Sequence, residues 1–269
     1  MAFATLADGT EVHCLRRSEA LVLDHHVRGY LAHGIEVRDG DTVFDVGANI
    51  GLFGVRAMQQ HPAARVFAFE PVPAIFAVLQ ANAQRFGEGR FIPLNMGLSA
   101  APGRTRFTYY PNSPALSTAH PEMWDADPGT LERAVAGNVR VAREAVWYAR
   151  LVPAFLSGFI ARHMRTGAQQ VDAELSTVSA VMRAHGITRI DLLKVDCEGG
   201  ELAVLQGVED EHWPHIGQVV TEVHDADGRL DTVRALLVRA GLSDISVEKE
   251  AGFEETRLVN VFARRPGAP

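Results

Sequence analysis

Four short stretches of this sequence combine residue types and spacings that could do chemistry. The first, Asp45-Val-Gly-Ala-Asn-Ile-Gly51, follows an apolar run and opens a helical stretch. Gly47 and Gly51 let a ligand approach the backbone closely, and the turn leaves unpaired amides at a helix N-terminus. The G-x-G-x-x-G spacing of dinucleotide loops is missing, and the leading Asp45 suits a cationic or amine-bearing ligand better than a pyrophosphate. The second is Glu70, which ends the next apolar run and is placed to accept both hydroxyl hydrogens of a ribose. A plain turn and a surface acid would explain each alone, but loop, preceding strand and Glu70 together form a much stronger signal.

The third stretch holds Lys194, Asp196 and Glu198, which follow directly on an apolar strand. Ligands of open α/β sheets bind outside the carboxyl ends of strands, so Asp196 is well placed to face one. The bland alternative is structural, with Lys194 bridging Asp196 or Glu198. The fourth is Glu222-Val-His224, whose alternation puts Glu222 and His224 on one side of a strand end. His224 could take a proton from a ligand hydroxyl, since only His changes charge near neutral pH without help. Asp196, Glu222 and His224 could instead hold a divalent cation that acidifies that hydroxyl. The sequence leaves both routes open, and no residue is assigned as a metal ligand. The pairs His25/His26 and His212/His215 lack further ligands at suitable spacing and read as surface or capping histidines.

The elements that must carry these residues alternate. Thr42–Val46 and Arg65–Pro71 are short apolar runs without polar alternation, separated by a helix starting near Ile50 and followed by another over Pro73–Phe86. That order implies a parallel sheet. Arg90–Leu98, Arg104–Tyr109, Ile190–Asp196 and Gln218–Val223 continue the strand pattern. Leu202, Leu205 and Val208 mark one helix, and Leu230, Val233, Leu236, Leu237 and Ala240 mark another that ends at Gly241. Strands near Ile245–Val247 and Leu258–Ala263 close the sheet, and the tail from Arg264 is expected to fray.

Two regions stand outside this alternation. Residues 1–41 form an N-terminal cap with an amphipathic helix over Ala20–Ala32, expected at one end of the sheet, and residues 42–269 form the main domain. Within it, residues 110–170 are too long for an ordinary connection and read as a helical lid insertion. A helix from Pro153 places Phe155 with Phe159, and Leu156 with Ile160 and Met164, one turn apart. It either covers an apolar substrate or packs on the core. Arg150, Arg162 and Arg165 argue against a membrane span.

Lys and Arg number 26 against 33 Asp and Glu, a formal charge of −7, which lacks the basic footprint of a nucleic-acid binder. The two cysteines, Cys14 and Cys197, are far apart and fit a reducing compartment, and no cationic-then-apolar leader opens the chain. A cytoplasmic monomer or homodimer is expected.

Taken together, Asp45-Val-Gly-Ala-Asn-Ile-Gly-Leu-Phe53, Phe69-Glu-Pro71, Leu193-Lys-Val-Asp-Cys-Glu-Gly-Gly-Glu-Leu202 and Glu222-Val-His224 resemble the FkbM family of methyltransferases, over roughly residues 20–264. The resemblance implies an α/β, Rossmann-like class I methyltransferase fold, with a seven-stranded, mostly parallel sheet and helices on both faces. It also implies S-adenosylmethionine as cofactor. The glycine loop, with Asp45, Gly47, Asn49 and Gly51, would hold the methionine part, and Glu70 with Pro71 the ribose. The Asn95–Ser99 segment, with Gly97 and Ser99, would lie near the adenine, and Asp196 near the sulfonium or the acceptor. Tyr30 is either a lid over the methionine end or a core aromatic. Methyl transfer needs no covalent enzyme intermediate, so Cys197 reads as a packing residue, and the catalytic set is Lys194, Asp196, Glu222 and His224.

The resemblance points to O-methylation of a hydroxyl on a specialised metabolite, such as a polyketide or nonribosomal peptide, offered free or bound to a carrier protein. Nitrogen, carbon and sugar-hydroxyl acceptors are the alternatives, because the cofactor half of a site is indifferent to them. A nicotinamide oxidoreductase and a non-catalytic binding module are the readings from other classes.

Overall fold

In the computed structural model, which describes residues 1–123, 129, 131–137, 156–249 and 256–267, neighbouring residues of the first apolar run feed opposite cores. Val43 packs with helices on one face of a sheet and Phe44 with helices on the other. This is the period-two geometry of a strand covered on both sides.

The chain begins with a hairpin, β1 (Ala2–Thr5) and β2 (Glu11–Cys14), that the sequence reading did not anticipate. Asp8-Gly9 supplies its turn, with Gly9 at positive φ. Helix α1 (Arg17–Arg28) follows. Ala20 and Val27 join the core under one face, and buried Asp24 takes Arg56 of the next helix at 2.6 Å.

Strand β3 (Thr42–Val46) leads to α2 (Leu52–Gln60), β4 (Arg65–Phe69), α3 (Pro73–Gly87) and β5 (Phe91–Leu94). The expected single strand over Arg90–Leu98 is broken. Asn95 turns the chain out of the sheet, its amide donating to the carbonyls of Glu70 and Pro71 at 2.9 and 3.2 Å. The next strands, β6 (Gly97–Leu98) and β7 (Gly103–Tyr109), both pair with β8 (Gln169–Ser176) in a separate three-stranded sheet.

Helix α4 (Ser157–Met164) precedes β8. After it come α5 (Val178–His185), β9 (Ile190–Val195), α6 (Glu201–Gln206), β10 (Ile216–His224), α7 (Arg229–Arg239), β11 (Asp244–Glu248) and β12 (Leu258–Arg264). The main sheet has seven strands in the order β11-β12-β10-β9-β3-β4-β5. Only β12 runs against the others. The chain therefore leaves β3 toward β4 and β5, then returns on the other side through β9 and β10. That reversal opens a crevice at the carboxyl ends of β3 and β9, where such sheets bind ligands.

The described part of the 110–170 insertion makes a small core of its own, with Tyr110, Leu116, Leu131, Val135 and Ala161 buried against Met123, Ile160 and Met164. The expected stripe on its second helix divides. Ile160 and Met164 face inward, Phe159 is 68% exposed, and Phe155 lies outside the described residues. Arg16 anchors the start of the insertion, donating to the Pro111 carbonyl at 2.7 Å and to Asn112 at 2.6 Å. No helix among the described residues is long and apolar enough to cross a membrane.

Candidate active site

A cavity of about 670 Å³ opens at the carboxyl ends of β3, β4, β9 and β10, within the usual size for small-molecule sites. Eight of the residues expected at the site line it: Gly47, Asn49, Glu70, Pro71, Gly97, Ser99, Asp196 and Glu222. Asp45, Gly51, Lys194 and His224 do not, and each has a visible physical reason.

The loop after β3 is pinned by its neighbours. The amides of Gly47 and Ala48 both donate to the Phe69 carbonyl, at 3.1 and 3.0 Å. Gly47 has a φ of 73°, and a Cβ there would sit 1.7 Å from the Asp196 carbonyl oxygen. Gly51, at φ 86°, starts α2 against Leu79. The close approach that these glycines permit is thus also to the protein's own atoms, the Asp196 carbonyl and the Leu79 side chain.

Asp45 lies beneath this loop with no exposure at all, and its carboxylate meets Lys194 Nζ at 3.0 Å. It does not face the cavity, where the sequence reading placed a cationic or amine-bearing ligand. Lys194, 3% exposed, also donates to the Gly47 carbonyl at 3.1 Å and stands 3.7 Å from Asp196. Burial works against its charge, but Asp45 and Asp196 outweigh burial and raise its pKa. Lys194 thus lies between Asp45 and Asp196, with Asp45, which the sequence reading did not pair with it, the nearer partner.

Glu70 is 6% exposed and its two oxygens accept from the amides of Val72 at 2.8 Å and Asn49 at 3.2 Å. Burial pushes its pKa up to about 8 despite these bonds. Asn95 holds the carbonyls on either side of it. A carboxylate fixed at the tip of the second strand, on a cavity wall, fits a ribose diol.

Asp196, Glu198 and Glu222 form an acidic group where the strand ends meet. Burial and repulsion from Asp196 push both Glu198 and Glu222 up to about 8. Asp196 moves the other way: burial opposes its charge, but Lys194, His26, Tyr30 and His224 more than offset burial. Glu198 sits at a φ of 51° in a turn whose carbonyl accepts from Thr118 at 2.6 Å, which ties the insertion to this acidic group.

His224, expected to be the base, is buried behind this group. Its Nε2 lies 3.5 Å from Glu198 and its Nδ1 3.9 Å from fully buried Glu201. Asp196, Glu222 and His224 do not converge as a ligand set. Among the described residues only Glu209, Glu211 and His212 bring three such atoms within 4.8 Å, on the surface. Cys197 is half-buried on the cavity wall, and burial followed by the charges of Glu201 and Asp196 holds its thiol well above the usual range, as suits a packing residue.

Two residues of the N-terminal region complete the site. Tyr30 is buried and donates to Asp196 at 2.7 Å, so it is a core aromatic and a site residue at once. His26 lines the cavity, bonds Tyr30 at 2.8 Å and stands 3.5 Å from Glu222. Reading His25/His26 as surface histidines missed this. The one available signal was the i, i+4 spacing of His26 and Tyr30, which puts both on one helix face.

Beyond the acidic group the cavity becomes apolar, walled by Val22, Leu116, Leu131, Val135, Ile160 and Met164. Glu19 is a polar exception, its carboxylate accepting from the Ala115 amide at 2.8 Å while burial raises it to about 7. The site is thus two-sided, with a glycine-loop and ribose-acid half joined at a charged waist to an apolar half roofed by the insertion.

A family profile for the methyltransferase FkbM domain matches residues 45–254. The chain is 38% identical over 263 residues to 31-O-demethyl-FK506 methyltransferase FkbM of Streptomyces tacrolimicus, across 97% of this chain and 95% of that one. It is 35% identical over 232 residues to methyltransferase sdnD of Sordaria araneosa, across 83% and 81% of the two chains. Among solved structures it is similar to methyltransferase FkbM from Methylobacillus flagellatus KT, with a TM-score of 0.53 and 13% identity over 90% of this chain and 51% of that one. At that identity the structural likeness speaks for the fold alone.

Proposed function

The chain belongs to the FkbM family of S-adenosylmethionine-dependent methyltransferases, and from that premise we propose that it methylates a hydroxyl oxygen of a bulky, largely apolar specialised metabolite. The observation that carries the acceptor class is the apolar half of the cavity, continuous with the half that fits the cofactor. A relative whose name specifies 31-O-demethyl-FK506 as its acceptor supports oxygen as the acceptor atom.

The donor set fits S-adenosylmethionine. Glu70 would take the ribose diol, the backbone of Gly47–Asn49 the amino-acid end, and Gly97–Ser99 the adenine side. When bound, the cofactor supplies a methyl group on a sulfonium sulfur, a leaving group that needs no activation. The protein's contribution is then alignment of the acceptor, exclusion of water under the insertion, and receipt of one proton at the charged waist.

Incubation with S-adenosylmethionine and a panel of hydroxylated polyketides and nonribosomal peptides, some free and some tethered to a carrier protein, tests this by mass spectrometry and NMR. The reading expects one added methyl group, on oxygen. Methylation on nitrogen or carbon, or turnover of small polar acceptors only, refutes it.

A further inference from the structure

Since His224 is set back from the cavity, the proton of the acceptor needs another destination. We propose that His26, at the last turn of α1, is the catalytic proton acceptor of this methyltransferase and that it works as a pair with Glu222. The proposal rests on the O-methylation reading above and assigns its base to the N-terminal helix rather than to a strand end.

Placement comes first. His26 lines the cavity, as do Asp196, just after β9, and Glu222, near the end of the adjacent β10. Its side chain is only 16% exposed and its Nε2 lies 2.8 Å from Tyr30 Oη and 3.5 Å from Glu222 Oε2. The helix that carries it is fixed to the domain by the ion pair of Asp24 with Arg56 and by the bond from Tyr30 to Asp196. The imidazole is therefore held at the waist by two independent anchors.

Protonation states follow from counting hydrogens. Tyr30 has one phenolic proton and donates it to Asp196, the acid that Lys194 keeps ionised. The His26–Tyr30 bond must then be donated by Nε2–H, and in the neutral ring the lone pair sits on Nδ1. Among the described residues, the charged groups around the imidazole include Glu222 from β10, Asp196 and Glu198 from the turn after β9, and Lys194 behind Tyr30. Glu222 balances the imidazolium formed when a proton arrives.

In the step itself the acceptor O–H bond breaks and its proton moves to the imidazole. The oxygen bonds the methyl carbon, and the electron pair of the C–S bond stays on sulfur, leaving a neutral thioether. The pair then loses the proton to solvent. Because burial raises Glu222 to about 8, the pair is fully in its accepting form only above that pH, and kcat should rise with pH toward it.

The test uses the full chain and the variants His26→Gln, His26→Ala, Glu222→Gln and His224→Ala. With the acceptor identified by that panel, both His26 variants should lose about 10²- to 10³-fold in kcat, the range for a positioned base, and lose the rise of kcat with pH. S-adenosylhomocysteine affinity, measured by calorimetry, should stay within about threefold and shows that the variants are folded. His224→Ala should lose less than about tenfold. Without any acceptor, ¹⁵N NMR of the imidazoles should show His26 as the Nε2–H tautomer, with a titration that shifts in Glu222→Gln.

A His26→Gln enzyme with near-wild-type kcat overturns the proposal, as does an Nδ1–H tautomer or a titration indifferent to Glu222→Gln. A wild-type product methylated away from oxygen overturns the function reading and this role with it. An O-methylated product formed at full rate by His26→Gln overturns the role alone.

Discussion

Replacing Lys194 by Met tests whether Asp45 belongs to the protein or to its ligand. Lys194 is 3% exposed, Asp45 has no exposure, and their charged atoms stand 3.0 Å apart. Met preserves most of the side-chain volume and removes the charge, so Asp45 is left buried without its main cation. Breaking a buried pair from one side costs about 3–5 kcal/mol, because the remaining charge is uncompensated. For a chain of this size each kcal/mol moves Tm by about 2–4 °C, so a drop of roughly 6–20 °C is expected. The loss should depend on pH in a definite direction. Burial already raises Asp45 above the ordinary carboxylate range, and removing Lys194 raises it further. The folded state then holds a proton that the unfolded state releases above about pH 4, so stability falls as pH rises and the deficit is smallest in acid. The double variant Lys194→Met, Asp45→Leu removes both charges and should recover most of the loss, since buried pairs replaced by apolar residues are often neutral or better. Thermal unfolding of wild type, both single variants and the double variant at about pH 5.5 and 7.5 closes the cycle. A double variant as unstable as the sum of the singles, or a Lys194→Met deficit that grows toward acid, refutes the structural reading of Asp45.

Gly47→Ala should be worse than Gly40→Ala although both glycines have positive φ, since a Cβ at Gly40 meets nothing and one at Gly47 meets the Asp196 carbonyl. The left-handed backbone costs about 1–2 kcal/mol at either site and overpacking adds about 1–3 at Gly47, so equal Tm losses by calorimetry would remove the clash from the account. Wild-type affinity for S-adenosylhomocysteine should climb between about pH 6.5 and 8.5 as Glu70, raised to about 8, ionises to accept the ribose hydroxyls, while Glu70→Gln should give a weaker and flat profile in calorimetric titration. Arg16→Ala removes the tie from the N-terminal region to the start of the insertion and should raise KM for a bulky acceptor about threefold to tenfold with cofactor affinity unchanged. An unchanged KM would mean that the roof does not depend on that tie.

The main sheet was legible because buried parallel strands leave continuous apolar runs such as Thr42–Val46 and Ile190–Val195, and period alone separates them from the helices between. The break after β5 was not, since Asn95 acts through bonds to the Glu70 and Pro71 carbonyls that only the folded chain brings near. Glu70, Asp196 and Glu222 were found because strand-end acids next to a glycine loop are local patterns. Lys194 and Asp45 were found for the wrong surface, because spacing cannot tell a charge that faces a ligand from one that faces its partner beneath the loop. His26 was missed because its meaning comes from Glu222 and, through Tyr30, from Asp196, both more than 160 positions away along the chain. Helical spacing could place His26 beside Tyr30 but not at the end of a particular strand.

The central claim is that one cavity seats the cofactor against Gly47 and Glu70 and the acceptor against the apolar roof, with the acids and His26 between them. A crystal structure of the chain with S-adenosylhomocysteine measures this most directly. The account predicts the ribose hydroxyls on Glu70, the adenine beside Leu98 and Ser99, and the sulfur pointing past Asp196 toward the space between His26 and Glu222. A ligand seated with its ribose away from Glu70, or with its sulfur turned from that space, would contradict it.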